Sequence, residues 1–132
     1  MSKLYVFDLD NTLYLWNVNE DYKRDYECKL INFLDKLKSE NIILTIASHN
    51  RTPRLFLRKI SICSYFDYII GEHPRNKYTM ILEILKNVDE TIKRENIVFF
   101  DDSDYNIRDC ETNGIKSIKI DPNIGIDFEI TY

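Results

Sequence analysis

The stretch Leu4-Tyr5-Val6-Phe7-Asp8-Leu9-Asp10-Asn11-Thr12-Leu13 constrains this chain more than any other. Its opening residues are apolar, aromatic and β-branched, which makes a short buried strand, and the chain then turns abruptly to two aspartates one residue apart. In an open parallel sheet the carboxyl ends of the strands face the crevice where ligands bind. Asp8 and Asp10 are thereby placed at the mouth of a site and not in the core. Side chains at alternate positions of an extended segment point the same way, which brings two negative charges into one small volume. They repel each other unless a cation lies between them.

The same switch from apolar to polar recurs along the chain. Ile42 to Ala47 is a continuous apolar run, as expected of a strand covered on both faces, and it ends in Ser48-His49-Asn50-Arg51-Thr52-Pro53. Phe66 to Ile70 predicts a third strand, followed by the loop Gly71-Glu72-His73-Pro74-Arg75-Asn76. Ile97 to Phe100 predicts a fourth, which delivers Asp101-Asp102 at its carboxyl end, and Ile115 to Ile120 a fifth.

Helical patterns fill the gaps. From about Lys23 to Glu40 the residues Tyr26, Leu30, Phe33, Leu34 and Leu37 form one apolar stripe. Thr52 can cap, and Pro53 can open, a helix running to about Ile60. Asn76 can cap a helix containing Tyr78, Ile81, Leu82, Leu85 and Val88, which sets Lys77 in the first turn. The helix dipole disfavours a cation there, so this lysine invites a reason beyond helix stability. A last helix, from about Asp104 to Asn113, is closed by Gly114. The segment from Tyr14 to Tyr22 alternates loosely around turn residues and predicts a small hairpin or flap over the end of the first strand. In the tail from Asp121 to Tyr132, Ile126, Phe128 and Ile130 alternate, which admits an added edge strand.

Strands alternating with helices predict an α/β fold: one doubly wound, mostly parallel sheet of about five strands with helices on both faces. All 132 residues are expected in a single domain. A net charge of -4 gives no general attraction to nucleic acid or to anionic membrane. The cysteines Cys28, Cys63 and Cys110 are odd in number and lack C-x-x-C spacing, so they suggest neither a disulfide framework nor a zinc site. Reduced thiols, and a strand that begins at once after Met1-Ser2-Lys3, point to an intracellular, cytoplasmic protein.

The polar segments follow strands at one edge of such a sheet, or open the helix beside it, and so can converge. Aspartates crowded together call for a hard divalent cation with oxygen ligands, and Mg²⁺ suits a few carboxylates, waters and a phosphate oxygen. Lys77 supplies the remaining positive charge.

The ordered set Asp8-Leu9-Asp10-Asn11-Thr12, Ser48, Lys77 and Asp101-Asp102 resembles the four motifs of the haloacid-dehalogenase-like hydrolases. Within that superfamily it is most similar to the small, nearly capless magnesium-dependent phosphatases, through Phe7 to Leu13 with Trp16 shortly after. Phe99-Phe100-Asp101-Asp102-Ser103, with Asn106-Ile107 and Asp109, points to the same group. The resemblance implies a phosphomonoester phosphatase in which Asp8 is the nucleophile and forms an aspartyl-phosphate. Asp10 would protonate the leaving oxygen and then activate water. Ser48 would hydrogen-bond the phosphoryl oxygens, and Lys77 would neutralise the phosphate and position Asp8. Asp8, the backbone carbonyl of Asp10, and Asp101 would hold Mg²⁺, with Asp102 a direct or water-mediated partner.

One departure from that group stands out: arginine is expected after the serine of the second motif, and His49 stands there instead, with Arg51 two residues on. Neither is given a role. The loop before Lys77 is too short for a cap domain and the Tyr14 to Tyr22 segment holds only a flap, so access should be open. That favours exposed phosphates on a protein, as in phosphotyrosine, or on sugars. Tyr14, Trp16 and Tyr22 are placed either to stack on a leaving group or to pack the flap. Two other readings remain: a nucleic-acid 3′-phosphatase of the same superfamily, and a non-catalytic phospho-accepting module similar to receiver domains. In receiver domains the acidic pair follows the first strand and the lysine the last, an order this chain does not have.

Overall fold

The computed structural model describes residues 2–132. Each apolar run is a strand: β1 (Leu4–Phe7), β2 (Ile43–Ser48), β3 (Tyr68–Gly71), β4 (Ile97–Asp101) and β5 (Lys116–Lys119). Helices α1 (Glu20–Ser39), α2 (Pro53–Lys59), α3 (Lys77–Val88) and α4 (Asp104–Thr112) lie between them. The strands form one sheet in the order β3-β2-β1-β4-β5, and every pairing is parallel. This is the doubly wound α/β arrangement that the sequence predicts.

β1 is the middle strand, and all of its residues are buried. Side chains alternate across a strand, so Tyr5 and Phe7 join Leu44, Ile46 and Phe100 on one face. There they meet Tyr26, Leu30, Leu34 and Leu37 of α1 and Leu57 of α2. Leu4 and Val6, with Ala47, Ile97 and Phe99, face the other way, against Met80, Ile81 and Ile84 of α3 and Ile107 and Cys110 of α4. Two apolar layers clamp the sheet, and the ring stack of Phe7 on Phe100, 4.6 Å between centroids, ties β1 to β4.

Capping chemistry sets the helix ends. Asn19 accepts a hydrogen bond from Tyr22 N at 2.8 Å, so α1 begins at Glu20, earlier than its apolar stripe suggests. Thr52 precedes α2 but its side chain caps nothing there; Asn50 Oδ1 instead accepts from Thr52 N at 2.8 Å. Gly114 takes φ +80° after α4.

Two expectations change. The segment after β1 is not a hairpin: Leu9 O accepts from Leu13 N and Tyr14 N, both at 3.0 Å, closing a tight turn, and Asp10 bridges to Tyr14. A bend at 16–18 then leads into α1. Leu13, Tyr14 and Leu15 are buried, so this turn is anchored in the core. The tail adds no strand to the sheet. Its Asp121 and Gly125 form an isolated antiparallel bridge, Gly125 takes φ +87°, and the chain turns onto α1, where Phe128 packs on Tyr26 and Phe33. Among the described residues no helix is long and apolar enough to cross a membrane.

Candidate active site

Sheet register brings the first acidic residue beside the last. Phe7 is paired with Ile46 on one side and Phe100 on the other. One residue further on, Asp8, Ala47 and Asp101 therefore stand abreast, and Asp8 N donates to Phe100 O at 2.8 Å. α3 brings the cation to them. Asn76 caps it through Thr79 N at 3.1 Å, and Asp109 of α4 accepts from Tyr78 N at 3.3 Å, which fixes the first turn against its neighbour. Lys77, only 1% exposed, then reaches inward. Its Nζ donates to Asp8 Oδ1 at 2.9 Å, to Asp101 Oδ2 at 2.9 Å and to Ala47 O at 2.7 Å. All three ammonium hydrogens have acceptors.

Asp8, Asp101 and Asp102 each offer a carboxylate oxygen, and these oxygens lie within 4.8 Å of one another. Asp101 is held on both oxygens: Ser103 N donates to Oδ1 at 2.9 Å and Asn106 Nδ2 to Oδ2 at 3.1 Å. Three carboxylates facing one ammonium leave two negative charges when all are ionised. Burial accordingly pushes Asp8 up to about 8, against the pull of Lys77 and with the help of the Asp101 charge. Burial raises Asp102 as well, opposed by its hydrogen bond with Asp8. For Lys77 burial acts downward, but Asp8 and Asp101 outweigh it, and the ammonium is held charged. A hard dication with oxygen ligands fits this surplus in charge and in chemistry, and the residues present suit Mg²⁺.

Asp10 stands apart. Its carboxylate is not among the three that gather; Trp16 Nε1 donates to its Oδ1 at 2.8 Å. Ser48, fully buried, accepts from Asn50 N at 3.0 Å, which leaves its hydroxyl hydrogen free to donate. His49 and Arg51 tie down the loop before Lys77: His49 Nε2 pairs with Arg75 O at 2.5 Å and Arg51 donates to His73 O at 2.9 Å. Sequence reasoning did not single out Thr12, whose hydroxyl lies 3.5 Å from Asp8 Oδ2, nor the grip of Asn106 on Asp101. The signal for Asn106 was its position in the first turn of a helix that starts directly after the acidic pair.

The pattern that defines the family described as haloacid dehalogenase-like hydrolase matches residues 14–120. No curated protein sequence matches the chain. Several solved structures share its fold. A haloacid dehalogenase-like family hydrolase from Streptococcus pneumoniae superposes with a TM-score of 0.69 at 17% identity, over 93% of this chain and 86% of that one. The N-terminal part of a Bacteroides fragilis protein, containing a phosphatase domain complexed with Mg, gives 0.75 at 17% identity, over 94% of this chain and 37% of that one. An archaeal β-phosphoglucomutase from a Pyrococcus strain gives 0.66 at 15% identity, over 90% and 86%. The match at 14–120 begins where the turn after β1 ends and spans the serine at the end of β2, the lysine that opens α3 and the acidic end of β4, and by it the chain belongs to the haloacid dehalogenase-like hydrolases.

Proposed function

We propose that the chain is a Mg²⁺-dependent phosphomonoester phosphatase working through an aspartyl-phosphate on Asp8. The observation that carries this reading is Lys77, whose buried Nζ bridges Asp8 and Asp101 at 2.9 Å each beside a third carboxylate, Asp102. Asp8, the backbone carbonyl of Asp10, and Asp101 would hold Mg²⁺, with Asp102 a direct or water-mediated partner, and the ion would supply charge neutralisation at the phosphoryl group. Ser48 donates its free hydroxyl hydrogen to one of those oxygens. Lys77 holds Asp8 in place and favours its ionised form. A carboxylate oxygen of Asp8 attacks phosphorus as the bond to the leaving oxygen breaks, and Asp10 gives that oxygen a proton. Asp10 then takes a proton from the water that displaces phosphate from Asp8, which restores both carboxyl groups.

Residues 8–19 and 72–76 are the connections over the site, and neither is long enough to enclose a substrate. We read residues 1–132 as one domain with an open site, suited to phosphate groups exposed on a protein or a sugar. The thiols of Cys28, Cys63 and Cys110 are free, which supports a reducing, cytoplasmic setting.

A second reading, a nucleic-acid 3′-phosphatase, draws on one observation. A groove of about 440 Å³ beside β3 is lined by Arg51, Arg54 and Arg58, and no Asp or Glu occurs from 41 to 66. This local basic patch breaks the acidic balance of the chain and suits a polyanion. Turnover of p-nitrophenyl phosphate decides whether the chain is a phosphatase at all: activity is expected with Mg²⁺ and its loss on chelation. A comparison of phosphotyrosine peptide, sugar phosphate and 3′-phosphorylated oligonucleotide then separates the two readings. Inactivity of the intact protein with every ester would remove both.

A further inference from the structure

The carboxylate of Asp10 is not one of the gathered trio and accepts a hydrogen bond from Trp16, and this contact has a chemical consequence. Indole Nε1–H is a donor only, so the oxygen it meets, Oδ1 at 2.8 Å, must act as an acceptor. When the Asp10 carboxyl group carries a proton, that proton is then favoured on Oδ2, because the carbonyl oxygen is the better acceptor for the indole N–H. The backbone around the pair is fixed. Asn11 takes φ +63°, Asn11 N donates to Tyr14 O at 2.8 Å, and the turn returns Trp16 over Asp10. Trp16 itself is held between rings, with Tyr14 tilted against it at 4.8 Å and Phe56 edge-on at 5.5 Å between centroids, while Lys23 Nζ lies 3.8 Å from the centre of the Tyr14 ring. Yet Trp16 is 49% exposed and contributes little to the core. A large exposed aromatic residue whose polar atom is committed to one carboxylate oxygen is placed to orient that carboxylate.

We infer that Trp16 is a positioning residue for Asp10: its indole selects which carboxylate oxygen delivers the proton to the leaving group. The inference rests on the phosphatase reading above. In the first step the phosphorus–oxygen bond to the leaving group breaks, the bond from Asp8 to phosphorus forms, and the Oδ2 proton passes to the leaving oxygen. A leaving group that is stable as an anion needs that proton little, whereas an alkoxide needs it fully. Loss of the indole N–H therefore acts on one class of ester and spares the other.

The experiment compares kcat of the full chain and of Trp16→Phe, with Mg²⁺, on p-nitrophenyl phosphate and on an alkyl phosphate such as a sugar phosphate. Phenylalanine keeps an aromatic ring beside Tyr14 and Phe56 and removes the donor together with part of the ring area, so an Asp10→Asn background separates the two effects. The alkyl ester is expected to slow by roughly 10- to 100-fold more than the aryl ester, a share of what general acid catalysis supplies. In an Asp10→Asn background the same substitution should no longer change the ratio between the two esters. Equal slowing of both esters by Trp16→Phe, or a changed ratio that persists without Asp10, would overturn the positioning role while leaving the phosphatase reading intact. Failure of the wild-type protein to hydrolyse either ester would overturn the phosphatase reading and this inference with it.

Discussion

Lys77 makes the acidic pocket tolerable. Its ammonium is hydrogen-bonded to two carboxylates that are themselves almost fully buried, so its loss leaves unpaired charge in a region of low dielectric. Lys77→Met is expected to destabilise the protein by about 3–5 kcal/mol at neutral pH without divalent ions, read from the denaturant midpoint. Mg²⁺ should recover part of that loss, and an unchanged midpoint would show that the pair is not coupled to folding. A second outcome concerns pH. Asp8 and Asp102 hold protons more tightly in the fold than in the unfolded chain, so the folded state binds more protons across that interval. The metal-free protein should therefore lose stability as pH rises from the ordinary carboxylate value, about 4, toward 8. Mg²⁺, which favours the ionised carboxylates, should flatten the trend, and melting temperatures at pH 5 and pH 8 with chelator or with Mg²⁺ measure it. At this scale much was legible. A cation in the first turn of a helix and aspartates at strand ends announce themselves, because both sit where local energetics disfavour them. The bond from Trp16 to Asp10 was not legible, since an exposed tryptophan near a turn packs or binds equally well until the turn is known.

The turn after β1 is the element that converts a strand into a site, and Tyr26 of α1 secures it. Its hydroxyl donates to Thr12 O at 2.6 Å and accepts from Ile126 N at 2.9 Å, so one buried oxygen ties the turn, α1 and the tail together. Tyr26→Phe keeps the ring and leaves two buried backbone groups unpaired. It is expected to lower stability by about 1–3 kcal/mol, measured by denaturant unfolding, and to reduce turnover as the Asp10 turn loosens. A stability loss with unchanged turnover would show that the turn holds without this bond. At the edge of the sheet, Gly71 faces the backbone oxygen of Asn50 and the ring of Pro53 so closely that a methyl group cannot fit. Gly71→Ala should displace the loop that follows Ser48 and raise KM for phosphate esters, which steady-state kinetics will read. Helix and strand identities were legible from periodicity. The hairpin expected after β1 does not form and the tail is ambiguous from its sequence, because alternation reports burial on one side without naming the surface that does the burying. Ile126 and Phe128 alternate as an edge strand would, but they cover α1.

Across the whole molecule the parallel sheet acts as an alignment device. Residues as distant as Asp8 and Asp101 meet because β1 and β4 are neighbours in register, and Lys77 joins them from the crossover helix α3. This convergence follows from topology, and so the sequence order of strands, helices and polar ends was enough to foresee it. The two apolar layers clamp the strands, which suits the proposed in-line phosphoryl transfer, a reaction that depends on positioning more than on elaborate proton chemistry. Removal of Phe100, stacked on Phe7 at the centre of one layer, should cost about 3–5 kcal/mol on truncation to alanine, measured by thermal or denaturant unfolding. The most direct test of the site as a unit is to quench the protein in acid during turnover of an aryl phosphate and locate any phosphoryl group by peptide mass spectrometry. One phosphoryl group on Asp8, formed only with Mg²⁺ and accompanied by a drop of roughly a thousandfold or more in the turnover of Asp8→Asn, is the expected result. Undiminished turnover in Asp8→Asn, or a phosphoryl group on another residue, would contradict it.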